Sequence, residues 1–187
     1  FGRRRMQLPA AELEAMLIYQ IGALAGITRA EGGRLTHVKP HGALSNMACE
    51  DATLARSVVA AIRSFDPQLI LLAPTLSKLA QAGAVAGLRV ADEVFADRAY
   101  TDAGQLTPRS QPGALLDSSD ACVAHVRRML DAGGIVSQGG RVIRTDFQSI
   151  CVHGDGPRAV AAATAIRAAL LADGIALVPL PEALQSA

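Results

Sequence analysis

Residues 51–95 alternate two kinds of segment, and this alternation restricts the fold more than any other feature of the chain. Residues 51–65 place Leu54, Val58, Ala61 and Ile62 on one helical face, and Asp66-Pro67 ends the pattern. Residues 69–73 follow as an unbroken apolar run, as expected of a strand covered on both faces. Residues 75–86 return to a helical pattern, and residues 88–95 read as a further strand. Parallel neighbours need a helical crossover, so this alternation predicts an α/β protein with a parallel sheet.

The pattern extends in both directions. Residues 9–30 carry Leu13, Met16, Leu17, Gln20, Ile21 and Leu24 at three- and four-residue spacing until Gly32-Gly33, and residues 35–39 read as a short strand. Residues 96–116 hold Asp97, Arg98, Pro108, Arg109 and Pro112 with no sustained period, and loops of that length are uncommon unless functional. Downstream the spacing predicts a helix over 117–132, short strands at 141–145 and 149–153, a helix over 157–172 and a last strand at 175–178. A length of 187 residues suits a single α/β domain over 1–187. Aromatic residues make up only 3%, so Ala, Val, Leu and Ile must build the core.

Eighteen basic and seventeen acidic residues leave a net charge of +1, which gives no electrostatic case for nucleic acid. Arg3-Arg4-Arg5 is a local basic run without aromatic interleaving and reads as a solvated segment. Cys49, Cys122 and Cys151 are odd in number and lack CxxC spacing, which argues against a disulfide framework and for the cytoplasm. The sequence suggests no apolar stretch of about 18 residues for a bilayer span and no signal peptide. No GxxxxGK[ST] or strand-linked GxGxxG occurs.

Two strand-to-loop junctions concentrate the polar chemistry. Residues 36–44 run through Lys39-Pro40-His41-Gly42, and residues 149–155 run through His153-Gly154-Asp155. In α/β proteins functional side chains gather beyond the carboxyl ends of strands, so the two junctions suggest one shared site. Lys39 ends its strand and either holds an anion or snorkels to solvent. His41 is either a hydrogen-bonded packing residue or a catalyst, with Pro40 and Gly42 shaping its turn. Pro157 fits a first helical position with Gly156 or Asp155 as cap, so that helix start either binds an anion or is filled by Asp155. Glu93, Asp97 and Arg98 form a carboxylate-rich strand exit suited to acid–base work, or to an ion pair with Arg109 that orders the loop. His125, beside Arg127 and Arg128, reads as part of a solvated helix face, and Pro40 forbids a helical metal pair of His37 and His41. No metal ligands are assigned.

These motifs resemble the LamB/YcsF family, described as the A subunit of bacterial 5-oxoprolinase. The resemblance rests on Phe1-Gly2-Arg3-Arg4, Val38-Lys39-Pro40-His41-Gly42-Ala43-Leu44, Glu93-Val94-Phe95-Ala96-Asp97-Arg98-Ala99-Tyr100, Arg109 with Pro112-Gly113-Ala114, and Ile150-Cys151-Val152-His153-Gly154-Asp155. It implies an irregular (β/α) barrel of the glycoside hydrolase/deacetylase type. Family members begin upstream of Phe1, so about two N-terminal βα units of ~30 residues each are expected to be missing. A barrel lacking them leaves strand edges that favour a homo-oligomer.

The implied activity is ATP-dependent hydrolysis of the lactam of 5-oxo-L-proline to L-glutamate. The resemblance makes the chain a lactam-utilization hydrolase with two partners, a B subunit that is carboxyltransferase-like and a C subunit that is allophanate-hydrolase-like. Under this reading Lys39, His41, Glu93, Asp97, His153 and Asp155 are catalytic, and Arg98, Arg109, Gly42, Gly154 and Gly156 bind substrate or phosphate. ATP is the implied cofactor, and a divalent metal stays open. A metal-dependent amidase or deacetylase acting on a lactam or carbohydrate, and a non-catalytic binding subunit, are the alternatives. Ser45, where the family pattern suggests Tyr, and Phe147-Gln148 depart from the family.

Overall fold

Pro9 sets the entry to helix α1, Ala10–Ala30, where its carbonyl accepts the Leu13 N–H at 3.0 Å. The computed structural model describes residues 4–154 and 156–185. They fall into two units, Phe1–Asp92 and Glu93–Ala187.

In the first unit α1 is followed by β1, His37–Val38, then α2, Gly42–Glu50, and α3, Ala52–Phe65. Strand β2, Ile70–Pro74, helix α4, Lys78–Val85, and the start of β3, Val90–Phe95, complete it. Asp51 ends α2 and begins α3: its Oδ1 accepts the Thr53 and Leu54 N–H groups at 2.7 and 3.2 Å. Ser77 caps α4 in the same way, accepting the Ala80 N–H at 3.0 Å. Strand β2 is parallel to β1, with His37 opposite Ile70 and Val38 opposite Leu71. On its other side the Leu71 N–H donates to the Arg89 carbonyl at 2.8 Å, and the burial of Ile70, Leu71, Leu72 and Ala73 on both faces explains the unbroken apolar run.

Val58, Ile62, Leu71, Leu79 and Leu88 are buried together between these elements. Each such side chain contributes ~1.5–3 kcal/mol on leaving water. Helix α4 comes so close to β2 that a Cβ on Gly83 would meet Leu71 Cδ2 at 2.6 Å. Leu76, in the turn from β2 to α4, takes a left-handed φ of 60°.

The sequence pattern missed α2, because its Pro-His-Gly entry reads as a turn and the helix has no side-chain N-cap. Gly42, the first residue of α2, adopts φ 64°, which favours glycine there. Contrary to expectation, α1, at 21 residues, is long and apolar enough to cross a bilayer by length and composition alone. In this unit it packs on α3 through Leu13 and Ile21, while Tyr19 is 75% exposed.

In the second unit the end of β3 runs parallel to β6, Ser149–Cys151, with Glu93 opposite Ser149 and Phe95 opposite Cys151. Helix α5, Ser119–Ala132, is capped by Ser118 and closed by Gly133 in the left-handed region. Strand β4, Gly134–Val136, follows at once and pairs antiparallel with β5, Val142–Arg144. Helices α6, Ala159–Ala172, and α7, Leu180–Ala183, end the chain's regular structure. Met129, Val94, Phe95, Tyr100 and Ile135 form one buried cluster, and Cys122, Val126, Ile166 and Leu170 another.

Three expectations are corrected in this unit. Residues 133–136 are not only a helix stop, since β4 begins there and the hairpin it forms is antiparallel. Residues 175–178 form no strand: the Ile175 N–H donates back to the Leu170 carbonyl at 2.9 Å, and Ile175 packs against the cluster around Ile166. Helix α6 starts at Ala159 with Arg158 as its N-cap, so Pro157 lies in the preceding turn rather than in the helix. The chain is thus an α/β protein with parallel pairs β1–β2 and β3–β6.

Candidate functional site

In the first unit the chain leaves β1 through Lys39 and His41, and these line a cavity of about 490 Å³ together with His37 of the strand. Its walls are mostly apolar, with Met16, Leu17 and Leu24 from α1 and Leu44 from α2, and Arg4 joins the polar groups. Lys39 is half-buried, whereas His37 and His41 are exposed. His37 Nδ1 lies 2.9 Å from Thr36 Oγ1. Such a cavity offers cationic and imidazole groups beside an apolar wall, a combination suited to a small anion with a hydrocarbon ring. Gly42 is not among the lining residues and serves the backbone turn described above.

Ser45 points its chemistry toward Cys49. Burial pushes the Cys49 thiol up to about 11, against hydrogen bonds with Ser77 and Ser45 that lower it. At neutral pH Cys49 is therefore a protonated, poor nucleophile.

In the second unit His153 and Asp97 form a close pair. His153 Nδ1 is 2.7 Å from Asp97 Oδ2 and 2.9 Å from Oδ1, and the imidazole stacks on Phe95 at a centroid distance of 5.6 Å. An ionised carboxylate only accepts, so Nδ1 donates, and in the neutral imidazole the lone pair is on Nε2. The pair borders a cavity of about 160 Å³ shared with Arg109, Ser118, Gly156 and Arg158. The first turns of α5 and α6 also line it through Ser119, Ala159 and Ala162. The Ala159 and Ala162 N–H groups donate to the Gly156 and Arg158 carbonyls, and Arg158 lies 4.0 Å from Asp117. What the cavity joins to the His153 base is therefore the positive dipole ends of two helices and the Arg109 and Arg158 side chains.

Glu93 and Arg98 lie elsewhere. Glu93 is 2% exposed within β3, accepts the Ser149 hydroxyl at 3.0 Å and is not among the residues lining that cavity. Arg98 is 7% exposed and its Nη2 donates to the Thr107 carbonyl at 2.8 Å, pinning the 96–116 loop. Gly154 and Gly156 have open space where a Cβ would stand, so packing does not require glycine at either position. Asp155 lies outside the described residues.

His125 corrects the solvated reading. It is buried and stacks on Tyr100 at 6.1 Å, because the inward face of α5 includes positions 122, 125, 126 and 129. Its pKa is lowered by burial and then by Arg128, against a hydrogen bond to the Arg98 backbone and the charge of Asp97. The Tyr100 hydroxyl accepts the Phe95 N–H at 2.8 Å, and burial raises its pKa, so it stays a phenol. Phe95, Ser118 and Arg158 were not foreseen as site residues. The serine run at the start of α5 was the available signal for Ser118, and nothing local marked the other two. Among the described residues no three His, Cys, Asp or Glu side chains come together as a metal site.

A family model described as LamB/YcsF matches residues 1–185. The chain is 63% identical over 182 residues to the 5-oxoprolinase A subunit of an Azoarcus species, spanning 97% of this chain and 71% of that protein. It is 49% identical over 175 residues to the 5-oxoprolinase A subunit of Methylococcus capsulatus, spanning 94% and 67%. Among solved structures it is similar to the lactam utilization protein of Thermus thermophilus, with a TM-score of 0.87 and 39% identity over 94% of this chain and 70% of that one.

Proposed function

Because the chain belongs to the LamB/YcsF family, we propose that it is the A subunit of a 5-oxoprolinase, a hydrolase that opens the lactam of 5-oxo-L-proline to L-glutamate with ATP. The observation that carries this reading is the 63% identity, across 97% of the chain, to a 5-oxoprolinase A subunit. An A subunit implies further chains in one enzyme. We infer two, a B subunit that is carboxyltransferase-like and a C subunit that is allophanate-hydrolase-like, without which the chain does not turn over. We also infer an irregular (β/α) barrel of the glycoside hydrolase/deacetylase type in the cytoplasm, which the parallel strand pairs and three free cysteines support.

An unstrained amide is a poor electrophile, and ATP supplies a phosphoryl group that activates its oxygen. Arg109, Arg158 and the positive ends of α5 and α6 fit such a group, since they line one cavity, with Asp117 4.0 Å from Arg158 as the anion it would displace. Asp97 fixes the proton of His153 on Nδ1, so Nε2 takes a proton from the attacking water as the oxygen bonds to the lactam carbon. When the ring C–N bond breaks, the same Nε2 returns the proton to the departing nitrogen. A second water hydrolyses the γ-glutamyl phosphate left behind to L-glutamate and inorganic phosphate, ADP having departed in the first transfer. Lys39 offers its ammonium to an anion in the first unit's own cavity.

The test is ATP-dependent release of glutamate from 5-oxoproline by the chain assembled with its two partners. His153→Ala is expected to lower turnover at least about a hundredfold. Turnover that does not need ATP, or an unimpaired variant, overturns the reading.

A further inference from the structure

Helices α3 and α4 leave between them a groove of about 380 Å³ that this chemistry does not use. Its lining includes the small residues Ala60 and Ala82, both partly buried, beside Val85, which is 91% exposed. Arg56 and Arg63 stand along one side and Lys78 on the other, and no lining residue is acidic. Arg56 and Arg63 are seven residues apart, two turns or roughly 10 Å along α3.

The charge is local. The whole chain has a net charge of +1, yet residues 52–86 contain these three cations and a single acid, Asp66, whose carboxylate accepts the Gln68 N–H at 2.8 Å. Arg56 Nη2 donates to the Thr53 hydroxyl at 3.0 Å, and Lys78 Nζ lies 3.5 Å from Gln81 Oε1. These partners are neutral and leave the positive field in place.

We propose that this groove docks an acidic amphipathic helix of a partner subunit. The proposal rests on the multi-subunit reading above. Alanines in the lining let another helix approach closely, its apolar face would cover Val85, and carboxylates two turns apart would meet Arg56 and Arg63. A small anion would satisfy the cations but leave Val85 in water. Complementary charge of this kind also steers association and sets its salt dependence.

The assembled complex provides the test. Replacing Arg56, Arg63 and Lys78 together by Glu is expected to weaken the binding of one partner at least about tenfold at low salt, without lowering catalytic competence at saturating partner. Replacing all three by Gln gives a smaller loss in the same direction, and serves if the Glu variant folds poorly. In the wild-type complex a carbodiimide should join Lys78 to an Asp or Glu of a partner subunit. Cross-links from Lys78 only to a second copy of this chain, or unchanged partner affinity in both variants, overturn the groove assignment while leaving the complex itself intact. If the wild-type chain assembles with no other subunit, the multi-subunit reading and the docking site fall together.

Discussion

His153 Nδ1 lies 2.7 Å from Asp97 Oδ2 although the two residues are 56 apart in sequence. The parallel register of β3 and β6 explains the contact. Phe95 stands opposite Cys151, and Asp97 and His153 each follow two residues beyond that pair, where the chain leaves the two strands side by side. The acid–base pair is thus a product of strand register, held further by the stack of Phe95 on the imidazole.

Asp97→Asn keeps the shape of the side chain but removes the charge that favours a proton on Nδ1. We expect turnover of the assembled enzyme to fall about 10²- to 10⁴-fold, with KM far less affected. Steady-state kinetics with a thermal melt separates this from misfolding. Wild-type turnover in the variant would show that His153 does not need its carboxylate.

Lys39→Met keeps most of the apolar stem and deletes the ammonium. ATP-coupled cleavage in the complete complex is expected to fall at least about tenfold, or ~1.4 kcal/mol of transition-state stabilisation, with little change in Tm. A collapse of stability instead would mark Lys39 as part of a structural ion pair.

His125 makes the second unit sensitive to acid. Burial and Arg128 hold its pKa below the ordinary 6.5, and among the described residues its buried Nε2 has no hydrogen-bond partner. The unfolded chain therefore takes up a proton at a pH where the folded chain does not. Stability contributed by neutral His125 is full above about pH 7 and declines as pH falls through 6.5 toward the folded pKa. Urea unfolding at pH 7.5 and 5.5 measures the loss, and His125→Phe, which keeps the stack on Tyr100, should flatten the difference. Parallel slopes for the two proteins would assign the acid sensitivity elsewhere.

Leu76 occupies a left-handed φ of 60° while 37% exposed, so its side chain recovers little in burial for the strain of its backbone. Leu76→Gly is expected to stabilise the fold by about 1 kcal/mol, since strain relief of ~1–2 kcal/mol exceeds the added entropy of the unfolded glycine. Denaturant titration reads it directly, and a loss of stability would mean that the leucine's contacts outweigh its strain.

Periodicity located most helices and the buried strands, because α3, β2 and α5 each bury one continuous face or run. It failed where local pattern and tertiary use diverge. Residues 175–178 look like a strand, but Ile175 instead covers the end of α6. His125 sits among charges in sequence and yet faces inward, since helix phase rather than neighbours decides burial. For the candidate site, the strand exits were readable and so were Asp97 and His153 as separate residues. Their pairing was not, because it depends on the register of two strands far apart in the chain. Arg98 drew attention for its charge, but the loop uses it to pin a carbonyl.

Gln138, in the turn between β4 and β5, grips the 96–116 loop at three places. Its N–H donates to the Tyr100 carbonyl at 2.8 Å, its Oε1 accepts the Thr107 hydroxyl at 3.0 Å, and its Nε2 donates to the Pro112 carbonyl at 3.4 Å. Arg109 lies between the second and third of these anchors. The ordering entropy of its backbone is consequently settled while the chain folds and is not charged again when an anion arrives. A loop with no helix or strand of its own can then present a cation as a strand would.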